Sequence, residues 1–252
     1  KGVDMFQMLD DLTEPADHLA LDEAILVANS SETERAQVAE TDSWQILRVW
    51  EFSEPAVIAG RSSRIREEID VDHCESTGIP IYRRCTGGAS IVAGPGCLMY
   101  SVVLDQACHE GLRKIDAAHQ YVMSRVLAAV RLQVPEATLQ GICDLTWQNR
   151  KCSGNSLRVT RDRVLYHGTL LYDFDLTMLS RCLLHAPRQP EYRAGRKHDA
   201  FVTNVPADPQ RLAEHLLDVF GVIGSVNAVD LLPEIKELRQ QRYDSHQWNY
   251  RH

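Results

Sequence analysis

Three short segments concentrate side chains that can do chemistry. The first is Arg83-Arg84-Cys85-Thr86-Gly87-Gly88-Ala89-Ser90. Adjacent glycines let a backbone pass close to a ligand, and exposed N–H groups with the neighbouring Arg84 guanidinium suit a carboxylate or phosphate. The second is DLTWQNRKCSGNS, Asp144 to Ser156, where Lys151 precedes the small residues Ser153 and Gly154. A lysine so placed supplies fixed positive charge to the negative charge that grows during acyl transfer. The third is Tyr166-His167-Gly168-Thr169-Leu170-Leu171, with a histidine one step from a glycine in an apolar run. Each also has a plain structural alternative: a glycine turn beside solvated arginines, a lysine facing water, a hydrogen-bonded structural histidine. The Walker A pattern GxxxxGK[ST] is absent.

The elements that must position these segments are legible from periodicity. Ala16 to Ala28 has apolar residues near helical spacing, with Asp17 and Asp22 on other faces, and predicts an amphipathic helix. Ile46–Trp50 and Ala56–Ala59 predict strands separated by the turn-prone SEP, and a helix around Ile69 to Ser76 leads through Gly78 into the strand IPIYRR. CLMYSVVLD predicts a buried strand and residues 115 to 133 a long helix. DLTW, KCSGNSLRVT and VLYHGTLLYDF predict three further strands, followed by helical LTMLSRCLL and an Arg-rich loop. Hairpin-like spacings outnumber βαβ units. The expected fold class is therefore α/β (α+β), a mixed, largely antiparallel sheet flanked by helices, over a single domain spanning 1–252.

Composition narrows the partners. The chain has 252 residues, 27 Lys and Arg against 35 Asp and Glu, and a formal charge of −8, so it offers no broad basic surface for nucleic acid. Seven scattered cysteines, Cys74, Cys85, Cys97, Cys108, Cys143, Cys152 and Cys182, form no CxxC pair and show no metal-like spacing, which points to a reducing cytoplasm and no metal site. No segment reaches the ~20 apolar residues that cross a bilayer, so no membrane is expected.

Order and separation add what single segments cannot. LALDEAIL, then RRCTGG, then DLTWQNRKCSG, then HGTLL, closed by RYDSHQWNY, resembles the lipoate-protein ligase A and octanoyltransferase family across nearly the whole sequence. The resemblance implies a catalytic domain of the class II synthetase and biotin ligase type. By it, Arg84, Thr86, Gly87, Gly88 and Ala89 form a loop over an acyl-adenylate and Lys151 is the central catalytic cation. Asp144 stands on the adenylate side, Gly154 and Asn155 lie beside Lys151, and His167, Gly168 and Thr169 lie opposite. Arg193 and Arg196, in PRQPEYRAGRKHDAFVTN, would close over the pocket and present a positive rim to a carrier. The implied reaction uses ATP and Mg²⁺ to activate lipoate or octanoate and passes the acyl group to a lysine of a lipoyl carrier domain, of the glycine-cleavage H protein or 2-oxoacid dehydrogenase E2 type.

Two departures bear on that expectation. Ala89 stands where family ligases often have a third glycine, and Ala93-Gly94-Pro95-Gly96 falls where a His-Asp pair often follows. The chain also ends soon after the Trp-Asn segment, without the large carboxy-terminal accessory domain of larger ligases, so either a separate accessory subunit supplies that part or the chain does not carry out complete ATP-driven ligation. Two alternatives stay open. One is a transferase taking the acyl group from a thioester donor through a cysteine, with Cys143, Cys152 and Cys182 as candidates. The other is a non-catalytic lipoyl-binding homologue.

Overall fold

The computed structural model describes residues 4–28, 44–109, 111–184 and 189–252. The strands are β1 (Met5–Leu9), β2 (Gln45–Trp50), β3 (Ala56–Ala59), β4 (Ile81–Arg83), β5 (Ile91–Ala93), β6 (Cys97–Asp105), β7 (Thr138–Gln140), β8 (Asp144–Trp147), β9 (Arg150–Ser153), β10 (Asn155–Val159), β11 (Arg163–Leu171) and β12 (Val222–Asn227). The helices are α1 (Pro15–Val27), α2 (Ile65–Glu68), α3 (Val71–Thr77), α4 (Ile115–Arg131), α5 (Thr177–Cys182), α6 (His198–Phe201), α7 (Pro209–Phe220), α8 (Leu232–Leu238) and α9 (His246–Asn249). Among the described residues, no helix is long and apolar enough to cross a membrane.

One six-stranded sheet, in the order β10-β11-β6-β2-β1-β12, carries the architecture. β10/β11, β11/β6 and β6/β2 pair antiparallel, while β2/β1 and β1/β12 pair parallel, so the sheet is mixed as expected. A three-stranded sheet β4-β3-β5 and a meander β7-β8-β9 flank it.

The pleat of β6 explains how one strand serves two cores. Cys97, Met99 and Val103 face the cluster that contains α1, while Leu98, Tyr100, Val102 and Leu104 face the cluster that contains α4 and α7. This is the period-2 division of a strand buried on both faces, which is why CLMYSVVLD is nearly unbroken in its apolarity.

α1 departs from its expected amphipathic form. It is buried nearly all round and encloses His18, Asp22 and Glu23 together with its apolar residues. The sheet covers one side and α8 with the following π turn covers another, so the acidic residues meet protein rather than water. Glu23 is held by Arg158 (2.7 Å), Arg242 and the Tyr243 hydroxyl (2.7 Å). Paired buried carboxylates of this kind are the exception to the rule that charge stays outside.

KCSGNSLRVT is two strands rather than one. The chain leaves the meander at Gly154 and enters the large sheet as β10, because the Gly154 carbonyl and N–H both bond to Thr169 on β11. The Arg-rich segment is likewise more ordered than a loop: it holds a 3-10 turn, Glu191–Arg193, and helix α6. Pro187 and Arg188, at its start, lie outside the described residues.

Candidate active site

A cavity of about 200 Å³ opens between the α1 face of the large sheet, the double-glycine loop and the β9–β10 junction. Its apolar wall includes Leu19, Trp50, Ile58, Met99, Leu179 and Leu183. Arg84, Gly88, Ala89, Lys151, Gly154, Asn155, His167, Gly168, Thr169 and Arg193 also line it, so ten residues from separate sequence blocks meet at one space. Thr86, Gly87, Asp144 and Arg196 stand one step behind that lining.

Lys151 is presented by the β8–β9 hairpin. Gln148 and Asn149 turn it with positive φ values of 49° and 56°, the backbone form that a tight two-residue hairpin demands. The Lys151 side chain is 28% exposed, and its Nζ lies 2.7 Å from Asp144 Oδ1. Asp144 also accepts from the Tyr192 hydroxyl at 2.7 Å. Burial, then the Asp144 carboxylate, pushes the Tyr192 phenol up, so the hydroxyl remains a donor. The lysine thus sits at an apolar cavity with one partner and a water-facing side, free to exchange that partner for a ligand oxygen.

The double-glycine loop is built by the pair of arginines before it, which point to opposite sides. Arg83 is fully buried and spends its guanidinium on backbone carbonyls: Gly60 (2.7 Å), Ser63 (3.0 Å), Trp248 (3.1 Å) and Arg251. Asn249 accepts from the Arg83 N–H at 3.0 Å, and the Trp248 indole donates to the Arg83 carbonyl at 2.9 Å. The closing Trp-Asn segment therefore braces the loop from behind. Arg84 bonds to Thr86 Oγ1 (3.0 Å), the Ile58 carbonyl (3.0 Å), the Ala89 carbonyl (3.0 Å) and the Gly87 carbonyl. Burial lowers both guanidiniums to about 10, still charged at neutral pH. In this structure Arg84 shapes the loop with donors expected to meet a ligand. Gly88 has φ +84°, the left-handed backbone that favours glycine, and a Cβ there would sit 2.9 Å from Arg84 Nη2 and push the guanidinium aside.

Residues not singled out from sequence complete the loop. Glu68, 5% exposed, accepts from the Ser90 N–H and hydroxyl (both 2.8 Å) and from Ser63 Oγ (2.9 Å). Ser156 Oγ donates to the Gly87 carbonyl at 2.8 Å. On β11, His167 Nε2 is 2.7 Å from Thr86 Oγ1 and Nδ1 is 3.1 Å from Asp22 Oδ2. Both ring nitrogens are engaged, so this histidine is held rather than poised as a base. Asn155 runs beside Gly168 so closely that a Cβ there would meet its Oδ1 at 1.8 Å.

Arg193 and Arg196 lie together rather than as paired free cations. Arg193 is buried, lies over the Phe201 ring at 4.9 Å and bonds to the Arg196 carbonyl at 2.9 Å. Arg196 bonds to the carbonyls of Asn149 (2.8 Å) and Tyr192 (2.7 Å), tying this segment to the hairpin that carries Lys151. The AGPG segment forms the β5–β6 turn, with the Cys97 N–H on the Gly94 carbonyl (3.0 Å), and contributes nothing to the cavity lining.

The three candidate cysteines, Cys143, Cys152 and Cys182, are poor nucleophiles. Burial, reinforced by Asp144, pushes the Cys143 thiol up to about 11 against the opposing charge of Lys151. Burial takes Cys152 to about 12 and also raises Cys182. A thioester mechanism needs the reverse shift.

The model of the lipoyl protein ligase A/B catalytic domain matches residues 14–213. The chain belongs to this family. Lipoate-protein ligase LplJ of Bacillus subtilis is 25% identical over 228 residues, covering 84% of this chain and 67% of the ligase. Among solved structures, one from the study of a bi-partite lipoate protein ligase and its E2 lipoyl domain from Thermoplasma acidophilum has a TM-score of 0.77 at 22% identity, covering 99% of this chain and 97% of that one. A lipoate-protein ligase A bound with ATP has a TM-score of 0.75 at 21% identity, covering 99% of both chains. The fold is thus shared along nearly the whole chain.

Proposed function

We propose that this chain is a lipoate-protein ligase: it activates lipoate or octanoate as the acyl-adenylate and transfers the acyl group to a lysine of a lipoyl carrier domain. The observation that carries this reading is Lys151, a partly exposed cation held at 2.7 Å by Asp144 on the edge of a deep apolar cavity. The apolar wall suits an acyl chain, and its carboxylate would then lie toward Lys151 and the loop. There the attack of the carboxylate on the ATP α-phosphate gathers negative charge, which Lys151 offsets. Pyrophosphate leaves, and the carrier amine next displaces AMP from the mixed anhydride, losing a proton as the amide forms.

Asp144 has a second task in this reading, since release of Lys151 leaves its carboxylate open to a nucleotide-borne cation. Among the described residues, no group of three or more His, Cys, Asp and Glu side chains could hold a metal alone. In this reading Asp144 would hold a Mg²⁺ that arrives on the nucleotide phosphates, and when bound the ion supplies charge neutralisation to them. The likeness to a ligase bound with ATP and to a ligase described with its E2 lipoyl domain supports the nucleotide and a lipoyl carrier; we propose the H protein and E2 domains as the carrier types and the cytoplasm as the place.

The test is the mass of an apo carrier domain after incubation with the protein, lipoate and Mg-ATP, against a parallel incubation with an octanoyl thioester donor. A lipoyl mass increment that requires ATP supports the ligase. An increment only with the thioester makes the protein a transferase, and none with either, alongside tight lipoate binding, makes it a binder.

A further inference from the structure

One row of polar side chains crosses the sheet beneath α1. Register sets Arg48 on β2 opposite Ser101 on β6, Ser101 opposite His167 on β11, and His167 opposite Ser156 on β10. On this face Ile46, Met99, Val103, Leu165 and Leu171 join the apolar core, while Thr169, Arg163 and Arg158 are further polar residues: Arg163 bonds to the Ile25 carbonyl and Arg158 to Glu23. Three of the four residues in the row converge on Asp22, whose side chain is 2% exposed. Ser101 Oγ donates to its Oδ1 at 2.8 Å, Arg48 bonds to the same oxygen, and His167 Nδ1 lies 3.1 Å from Oδ2. A buried row of this kind is costly compared with packed apolar residues. What it reaches is the loop: His167 meets Thr86, and Ser156 meets the Gly87 carbonyl.

The hydrogen bonds run in one direction. Arg84 Nε donates to Thr86 Oγ1. The Thr86 hydroxyl can then donate to His167 Nε2, an arrangement in which Nε2 carries no hydrogen and Nδ1 carries the one that goes to Asp22. An anionic Asp22 accepts at both oxygens and so fixes that tautomer. In the opposite tautomer, Nδ1 without a hydrogen would face the Asp22 carboxylate, acceptor against acceptor, and the Thr86 hydroxyl hydrogen would lose Nε2 as its partner.

We infer that Asp22 is a positioning residue, which sets the double-glycine loop against the cavity by holding His167 in the Nδ1–H form. This rests on the ligase reading only for what the loop does next. Asp22→Asn is nearly isosteric and tests the polarity alone. With its oxygen kept by Arg48 and Ser101, the amide NH₂ occupies the Oδ2 position and presents a donor to His167 Nδ1, so the ring must turn to the Nε2–H tautomer.

The experiment measures three things in wild type, Asp22→Asn, Thr86→Val, Thr86→Ser and the Asp22→Asn/Thr86→Val double variant: the His167 tautomer by ¹⁵N NMR of the imidazole, amide exchange at Gly87 to Ala89, and kcat/KM for lipoate-dependent turnover of ATP. Wild type should be Nδ1–H and Asp22→Asn Nε2–H. Both Asp22→Asn and Thr86→Val should speed loop exchange and lower kcat/KM about ten- to a hundredfold, mainly through KM, as expected for losing a bond in a charged network. Thr86→Ser, which keeps the hydroxyl, should stay near wild type, and the double variant should be no worse than the worse single. An unchanged tautomer in Asp22→Asn, or single losses that multiply in the double, overturns the inference. If Asp22→Asn does not fold, Thr86→Val decides through loop exchange, and exchange at the wild-type rate overturns it. If the wild type does not turn over ATP with lipoate, the ligase reading falls, while the tautomer and exchange results still decide this one.

Discussion

The two polar walls of the cavity handle charge in opposite ways. On the hairpin wall, Lys151 is 28% exposed and has one charged partner, Asp144. On the opposite wall, Arg84, His167 and Asp22, with Arg48 behind them, are buried, and each is held at several atoms by loop, strand or helix. A cation with one partner at a wet edge can exchange it for a ligand. Buried groups whose polar atoms are already bonded hold shape instead. The difference separates the residue that should carry rate from those that should carry geometry and stability.

That division breaks most visibly at Lys151. Lys151→Ala should lower single-turnover transfer to a carrier domain by about 10²–10³, with the thermal midpoint unchanged because a partly exposed side chain is lost. Wild-type turnover in the variant would put the chemistry elsewhere. Arg48→Met should do the reverse. It strands the Asp22 carboxylate in the core and should cost about 3–5 kcal/mol in denaturant unfolding. A loss under about 1 kcal/mol would mean that Asp22 finds other support.

Acid should weaken the buried cluster through His18. Burial first, and then the Arg48 charge, lowers His18 from 6.5 to about 4. The unfolded chain therefore binds a proton that the folded chain refuses between those values. The His18 contribution is complete above about pH 6.5 and is lost as the pH falls to about 4, at up to about 1.4 kcal/mol per pH unit. Asp22 follows: burial raises it, but Arg48 and the bonds from His167 and Ser101 outweigh that, and its pKa ends below 3.8. Its contribution is present above that value and fades only below it. Urea unfolding from pH 7 to 4 should show this slope in the wild type and a flatter one in His18→Leu. Equal slopes would remove His18 from the account.

The smallest effects should come from the cysteines. Cys143→Ser, Cys152→Ser and Cys182→Ser, made singly, should each leave ligation measurable, since their thiols are held protonated. Abolition by one of them, with an acyl thioester trapped on the wild type, would move the protein to the thioester-dependent transferases.

The same division explains what the amino-acid order could disclose. Lys151, Gly88 and His167 were legible because residue type, glycine punctuation and motif order are local properties, and β6 was legible because an unbroken apolar run fits a strand buried on both faces. Asp22, Arg48 and Ser101 were not, since their meaning lies in the register of three distant strands under a helix. Asp22 on a helix reads as a solvated face until the element covering that face is known. β1 and β12 escaped for a related reason: MFQML and VIGSVN lack clean alternation, and their parallel pairing joins opposite ends of the sequence. Arg193 shows the limit in the other direction, since a basic residue in a charged run turned inward onto Phe201.

The central claim is that this cavity makes an acyl-adenylate. Lipoate-dependent exchange of pyrophosphate into ATP measures that step alone, without carrier or covalent enzyme intermediate. The account predicts exchange that requires lipoate and Mg²⁺, survives each cysteine replacement and collapses in Lys151→Ala. No exchange in the folded wild-type protein, together with acyl transfer from a thioester donor, would contradict it.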